Sequence, residues 1–158
     1  MQEIIHIDFM ENKFRMFFVY LLLIVSCNNG QNKSLLKDNE VPKIIETALV
    51  YVVNTAQLPK EYHSEPIRIS QYGNTDLSSV KVNGLPCIIL PKNTDIYKMI
   101  QARDIYNPIP IAEITGIKQL ENGIVIVGLI FRSTGHAFQL KLEKAKIYKV
   151  IKMDEHTI

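Results

Sequence analysis

Four apolar segments in the last third of this sequence constrain its fold more than any other feature. They occupy residues 111–120, 124–132, 137–144 and 147–153, and the breaks between them are Glu121-Asn122-Gly123, Ser133-Thr134-Gly135-His136 and Lys144-Ala145-Lys146. Segments rich in β-branched residues and separated by gaps this small join naturally as neighbouring antiparallel strands, because a parallel pair needs a crossover of about a dozen residues or more. The spacing predicts a four-strand antiparallel meander. Within it Phe138, Leu140 and Leu142 alternate with Gln139, Lys141 and Glu143, the period of a strand with one dry and one wet face. The run GIVIVGLIF is apolar at every position and is expected to be the central strand, covered on both faces.

Upstream, Ile44, Ile45, Ala48, Leu49, Val52, Val53 and Ala56 recur at i, i+1, i+4 and i+5, which makes one apolar stripe on a helix of about 3.6 residues per turn. Pro42 suits the first turn, where a missing N–H costs nothing, and Leu58-Pro59 closes the helix. Residues 50–53, rich in β-branched and aromatic side chains, lower intrinsic helix propensity, but the phase of the stripe outweighs that over about three turns. A shorter helix is expected over residues 95–103, capped by Thr94 and burying Ile96, Met99 and Ile100. Residues 67–72 and 80–90 read as strands punctuated by Gly73-Asn74 and Asn83-Gly84, with Pro86 marking an edge or a bulge. The expectation is a single α+β domain over residues 42–158, an N-terminal amphipathic helix packed on a curved antiparallel sheet that ends in the meander.

The beginning of the chain follows different rules. Lys13 and Arg15 precede ten apolar or aromatic residues, 16–25, and Asn28, Asn29, Gly30, Gln31 and Asn32 follow Cys27 at once. A secretory signal carries an apolar region of about 7 to 15 residues, whereas spanning the hydrocarbon core takes about 20. The segment has the length of an export signal and not of a membrane span. A start at Met10 would give MENKFR as a compact basic leader, so the residues before Met10 are left out of fold reasoning.

Ile24, Val25, Ser26 and Cys27 resemble the lipobox of bacterial lipoproteins. That resemblance implies cleavage between Ser26 and Cys27, with Cys27 carrying a thioether-linked diacylglycerol and an amide-linked acyl chain. Each buried methylene contributes about 0.8 kcal/mol, and two lipid signals already suffice for stable attachment. Residues 1–26 are then a signal peptide, and 27–41 are a lipidated cysteine and polar tether, NNGQNKSLLKDNE after Cys27. The implied location is the bacterial cell envelope, lipid-anchored. No acidic cluster follows the cysteine, which in lineages that use such a cluster as a surface-export tag favours the periplasmic face; the expected location is the outer membrane, facing the periplasm. An ordinary cleaved signal with an incidental cysteine, or a short buried core helix, are the competing readings of the same residues.

Removing the 26 residues before Cys27 leaves 132 of the 158, enough for one core. It also removes two basic and three acidic residues, leaving 16 against 13 and a net charge of +3, too small to imply a nucleic-acid partner. Cys87 would be the one thiol outside the anchor, so no internal disulfide is available.

The order of elements, one amphipathic helix, irregular strands and a long meander, resembles the cone-shaped α+β fold of nuclear transport factor and its relatives, or a cystatin-type sheet wrapped on one helix. Such folds often enclose a pocket between helix and sheet, and they do not by themselves assign a function.

Candidate chemistry is sparse. Cys87 lies in the apolar run 85–90, where a buried structural thiol is the ordinary reading and a nucleophile would need a nearby base. His136, beside Gly135, could be a base or a ligand, with an exposed turn histidine as the plainer alternative. Glu61, His63 and Glu65 would share a face only if they lay on a strand, and Pro59 and Pro66 bracket them more like a loop. Lys141, Lys144, Lys146, Lys149 and Lys152 crowd the last hairpin, either to meet anionic lipid headgroups or polysaccharide, or as solvated residues guarding a sheet edge. The tyrosines are dispersed. The sequence points to no catalytic residues, no metal and no cofactor. It points instead to a membrane-attached module that binds an envelope protein or a small ligand, with His136, His63, Lys141 and Lys149 as pocket or surface candidates. A small pocket-containing enzyme or carrier is the alternative, and an inhibitor or immunity-type protein a third.

Overall fold

The computed structural model describes residues 36–120 and 123–158. The signal segment, Ser26 and Cys27 lie outside the described residues. Ser34–Ile158 is a compact unit with its own core among the described residues.

Helix α1, Val41–Thr55, opens with Pro42 in its first turn and ends where Ala56 turns extended and its N–H reaches the Val52 carbonyl. Its buried face is Ile44, Ile45, Ala48, Leu49, Val52 and Val53, all with no measurable exposure. A single turn, α2, follows at Glu61–Ser64. After it come β1 (Arg68–Ser70), the short strands β2 (Lys81–Val82) and β3 (Leu85–Pro86), β4 (Ile88–Leu90), helix α3 (Ile96–Gln101), and four longer strands: β5 (Ile111–Gln119), β6 (Ile124–Phe131), β7 (His136–Lys144) and β8 (Tyr148–Thr157). No described helix is long and apolar enough to cross a membrane.

The chain is mixed α+β, built on one six-stranded sheet in the order β4-β1-β5-β6-β7-β8. Strands β5 to β8 pair antiparallel in sequence order, as their short connections require. The other end departs from the expected antiparallel sheet. Strand β1 inserts between β4 and β5 and runs parallel to both, with Arg68 opposite Ile88 and Ile111. The long connections through the β2–β3 hairpin and through α3 supply the crossovers that parallel pairing needs. The strand region over residues 80–90 is broken at Asn83-Gly84 as expected and once more after Pro86, which makes three pieces. Asn83 and Gly84, both at positive φ, turn β2 into β3 as a separate hairpin, the geometry of a tight two-residue turn. Pro86 sits in that hairpin, outside the main sheet.

Helix α1 packs on one face of the sheet, against β6, β7 and β8, and against β2. Val125, Val127, Leu129 and Phe131 point to it, beside Phe138, Leu140 and Leu142 of the paired strand. Burying side chains of this size contributes about 1.5–3 kcal/mol each before the entropy of ordering is set against it. Phe131 is the aromatic hinge of the core, edge-on to Tyr62 at 5.2 Å and to Phe138 at 5.4 Å between ring centroids.

Strand β6 is central but is not covered on both faces. Its exposure alternates, and Ile124, Ile126 and Ile130 are only half-buried on the side away from α1. On that side α3 covers just the β4–β1–β5 end, where Ile96, Met99 and Ile100 pack in half-buried contact on Leu90, Ile109 and Ile111. Helix α3 is capped by Asp95, whose carboxylate accepts the Lys98 N–H at 3.0 Å, and not by Thr94.

Candidate functional site

At the N-terminal end of α1 the incoming chain and the β7–β8 hairpin surround a groove of about 560 Å3. The turn before α1 supplies Lys37, Asn39 and Glu40; the first two turns of the helix supply Lys43, Glu46 and Thr47; the hairpin supplies residues 144–148. Glu40 occupies the cap position of α1 yet makes no side-chain cap bond. Its carboxylate accepts a hydrogen bond from Lys144 Nζ instead, joining residues 104 positions apart. The Lys144 bond holds the Glu40 carboxyl below the usual carboxylate range, and the same bond pushes the Lys144 ammonium up.

Tyr148 forms the groove's inner wall at 8% exposure, with Lys144 Nζ 6.0 Å from its ring centroid. Its hydroxyl is buried beside the Glu40–Lys144 pair but makes no hydrogen bond of ordinary geometry to either. Burial, and then the Glu40 charge, push the phenol upward. Glu46 Oε2 accepts the backbone N–H of Lys81 at 3.1 Å. Lys37, Lys43 and Lys146 make no ion pair among the described residues. Four lysines against two glutamates, one of them engaged by Lys144, leave the rim net positive. The arrangement suits electrostatic attraction of an anionic surface or group.

The five lysines of the last hairpin do not form one patch. A bulge leaves Ile151 unpaired, so Lys149 and Lys152, three residues apart, both point away from α1, as does Lys141 opposite Lys152. Lys149 faces Glu143, and Lys152 is bound to Asp154 at 2.8 Å. Lys144 alone of the paired lysines points to the α1 side, sharing it with Tyr148. Lys141 and Lys149 therefore belong to the open face of the sheet. There the half-buried Ile126 lies between Lys118 and Lys141 on the neighbouring strands, and Arg132 Nε meets Glu113 Oε2 at 2.7 Å.

His136 is the first residue of β7 rather than a free turn residue. Its Nδ1 lies 2.7 Å from Glu155 Oε1 across the strand pair, and its ring stacks on Phe138 at 6.1 Å. Glu61, His63 and Glu65 fall on a helical turn that disperses them: Glu61 is buried, His63 is exposed, and Glu65 holds Arg103 through both carboxylate oxygens at 3.1 and 3.0 Å. Among the described residues no group of three His, Cys, Asp or Glu side chains is placed to hold a metal ion. Cys87 is half-buried, and desolvation, with the Glu46 charge behind it, pushes its thiol up to about 11. That keeps it in the thiol form, which is a poor nucleophile.

None of His63, His136, Lys141 or Lys149 lines the groove. Glu40, Lys37, Lys43 and Tyr148 do, and sequence reading missed them because Glu40 and Lys144 become neighbours only once the hairpin folds against α1. No protein-family model matches the chain, and neither does any curated protein or solved structure.

Proposed function

We propose that this chain is an exported bacterial lipoprotein, anchored through Cys27, whose folded unit is a non-catalytic binding module of the cell envelope facing the periplasm from the outer membrane. The observation that carries the reading is the pattern at the N-terminus: Lys13 and Arg15, an apolar run of export-signal length, small Ser26, and Cys27 followed at once by a polar stretch. The folded unit is compatible with a binding role. The space between α1 and the sheet is filled by side chains, while the open sheet face carries half-buried isoleucines among charged groups. His136 is engaged by Glu155, a pairing that suits a structural role at the strand ends better than a general base waiting in a pocket. Of the two fold likenesses, the cystatin-type one is favoured by a single long helix lying across an antiparallel meander; the parallel β4-β1-β5 end is an addition to it.

The test is intact mass with membrane fractionation of the natively expressed protein. A chain beginning at Cys27 and carrying acyl chains, found with membranes and lost in Cys27→Ala, is the expected result. A soluble, unmodified chain that retains Met1 or Met10 would overturn it.

A further inference from the structure

We propose that the groove between α1 and the β7–β8 hairpin is the surface on which the folded unit rests against an anionic phospholipid leaflet. The inference rests on the lipid-anchor reading of Cys27 and adds to it the orientation of the module on the membrane. Three observations on the molecule converge there. The chain enters the folded unit at this groove: Lys37, Asn39 and Glu40 line it, and Leu36 just before them already packs on the core. Leu36 is the ninth residue after Cys27, a reach of at most about 30 Å even when fully extended, so a bilayer holding Cys27 lies within that distance of this end of the unit.

The rim has the charge that such a leaflet attracts. Lys37, Lys43 and Lys146 make no ion pair among the described residues, whereas Glu40 is engaged by Lys144 and Glu46 by a backbone N–H. At the tip of the hairpin Ile147 is 79% exposed and stands directly after Lys146. An apolar side chain at the tip of a lysine-rimmed turn is the combination that enters the headgroup boundary while its cationic neighbours stay at phosphate depth.

The Ser34–Ile158 unit contains the entire described core, so it can be tested without the anchor or the apolar leader. It is mixed with vesicles of phosphatidylcholine alone and with vesicles in which a third of the lipid is phosphatidylglycerol, and binding is read by co-flotation. The unit should bind the anionic vesicles preferentially and lose that preference as salt rises. The triple variant K37Q/K43Q/K146Q should bind about a hundredfold more weakly, about fivefold per lysine. Ile147→Ser should weaken binding several-fold at any salt, and K92Q/K98Q, on the loop and helix beyond β4, should bind as the parent does. Circular dichroism of each variant separates lost binding from lost folding.

Equal binding to both vesicle types, or a triple variant no weaker than K92Q/K98Q, would overturn the proposal. So would binding of soluble glycerol phosphate at this groove without vesicle binding, which would make it a small-ligand site instead. Because the unit carries no Cys27, its failure here leaves the anchor reading standing, and failure of the mass experiment leaves this result interpretable.

Discussion

Thr115 sits across the sheet from Gly128, and a Cβ placed on Gly128 would collide with Thr115 Oγ1. The contact arises at the bulge of β5 between Ile114 and Gly116, which swings Thr115 over the middle of β6. Gly128→Ala should therefore cost about 1–3 kcal/mol, the usual size of an overpacking penalty. In a Thr115→Ala background most of that loss should disappear, because the next neighbours are at 3.6 and 3.9 Å. A denaturant double-mutant cycle measures the coupling, and additive effects would show that the contact does not limit the site.

Phe131 joins Tyr62 and Phe138 in one edge-to-face cluster with no measurable exposure of its own. Phe131→Ala should lower unfolding free energy by about 3–5 kcal/mol. Urea unfolding tests it; a loss below about 1 kcal/mol would mean that the core collapses around the gap or that Phe131 is not its hinge.

Two tyrosine hydroxyls should behave oppositely. Tyr62 Oη bonds Ser133 Oγ at 2.6 Å, and Ser133 passes the bond on to the Ile109 carbonyl at 2.6 Å. Tyr62→Phe leaves that buried chain one donor short and should cost about 1–2 kcal/mol. Tyr148→Phe removes a buried hydroxyl that has no hydrogen-bond partner among the described residues and should be neutral within about 0.5 kcal/mol, or stabilising. Thermal unfolding of both proteins side by side decides the matter, and equal losses would contradict it.

The Glu40–Lys144 pair sets a direction for pH. The folded-state pKa of Glu40 is depressed, chiefly by the Lys144 hydrogen bond, so its contribution is present above the unfolded carboxylate pKa and fades as pH falls through the folded value. Glu40→Gln should flatten the acid limb of a plot of Tm against pH and change little near neutrality, since exposed pairs are worth little. An acid limb identical to that of the parent would remove Glu40 from this role.

Cys87 should resist thiol reagents. With its pKa raised from 9.0 to about 11 by burial and Glu46, its thiolate fraction at mildly alkaline pH is about a hundredfold below that of an unperturbed thiol. Reaction with a disulfide reagent should be slow in the native protein and fast after unfolding. Equal rates would mean that the thiol is free and ionised.

The meander was legible because its turns are too short for any other connection, and the alternation of Phe138, Leu140 and Leu142 with polar residues marks which face is dry. The covering of β6 was misread, since isoleucine on every second position looks the same whether a helix or only flanking lysines lie above it. Nothing in Arg68-Ile69-Ser70 announces a parallel strand; three residues carry no period, and their partners are chosen by the path of the chain through β2, β3 and α3. The lysine run was visible but its division was not. One unpaired residue, Ile151, brings Lys149 and Lys152 to the same face, and a bulge of one residue leaves no mark on composition. The groove was hidden for a different reason, that its two halves come from opposite ends of the domain.

That arrangement also governs when the domain can exist at all. Beyond its contact with β2, the apolar stripe of α1 is covered by β6, β7 and β8, so the first helix of the domain to be synthesised buries most of that stripe only against the last strands. Pairings this distant in sequence carry a large loop-closure cost and slow folding. A chain so ordered completes its core only when its last strands have been made.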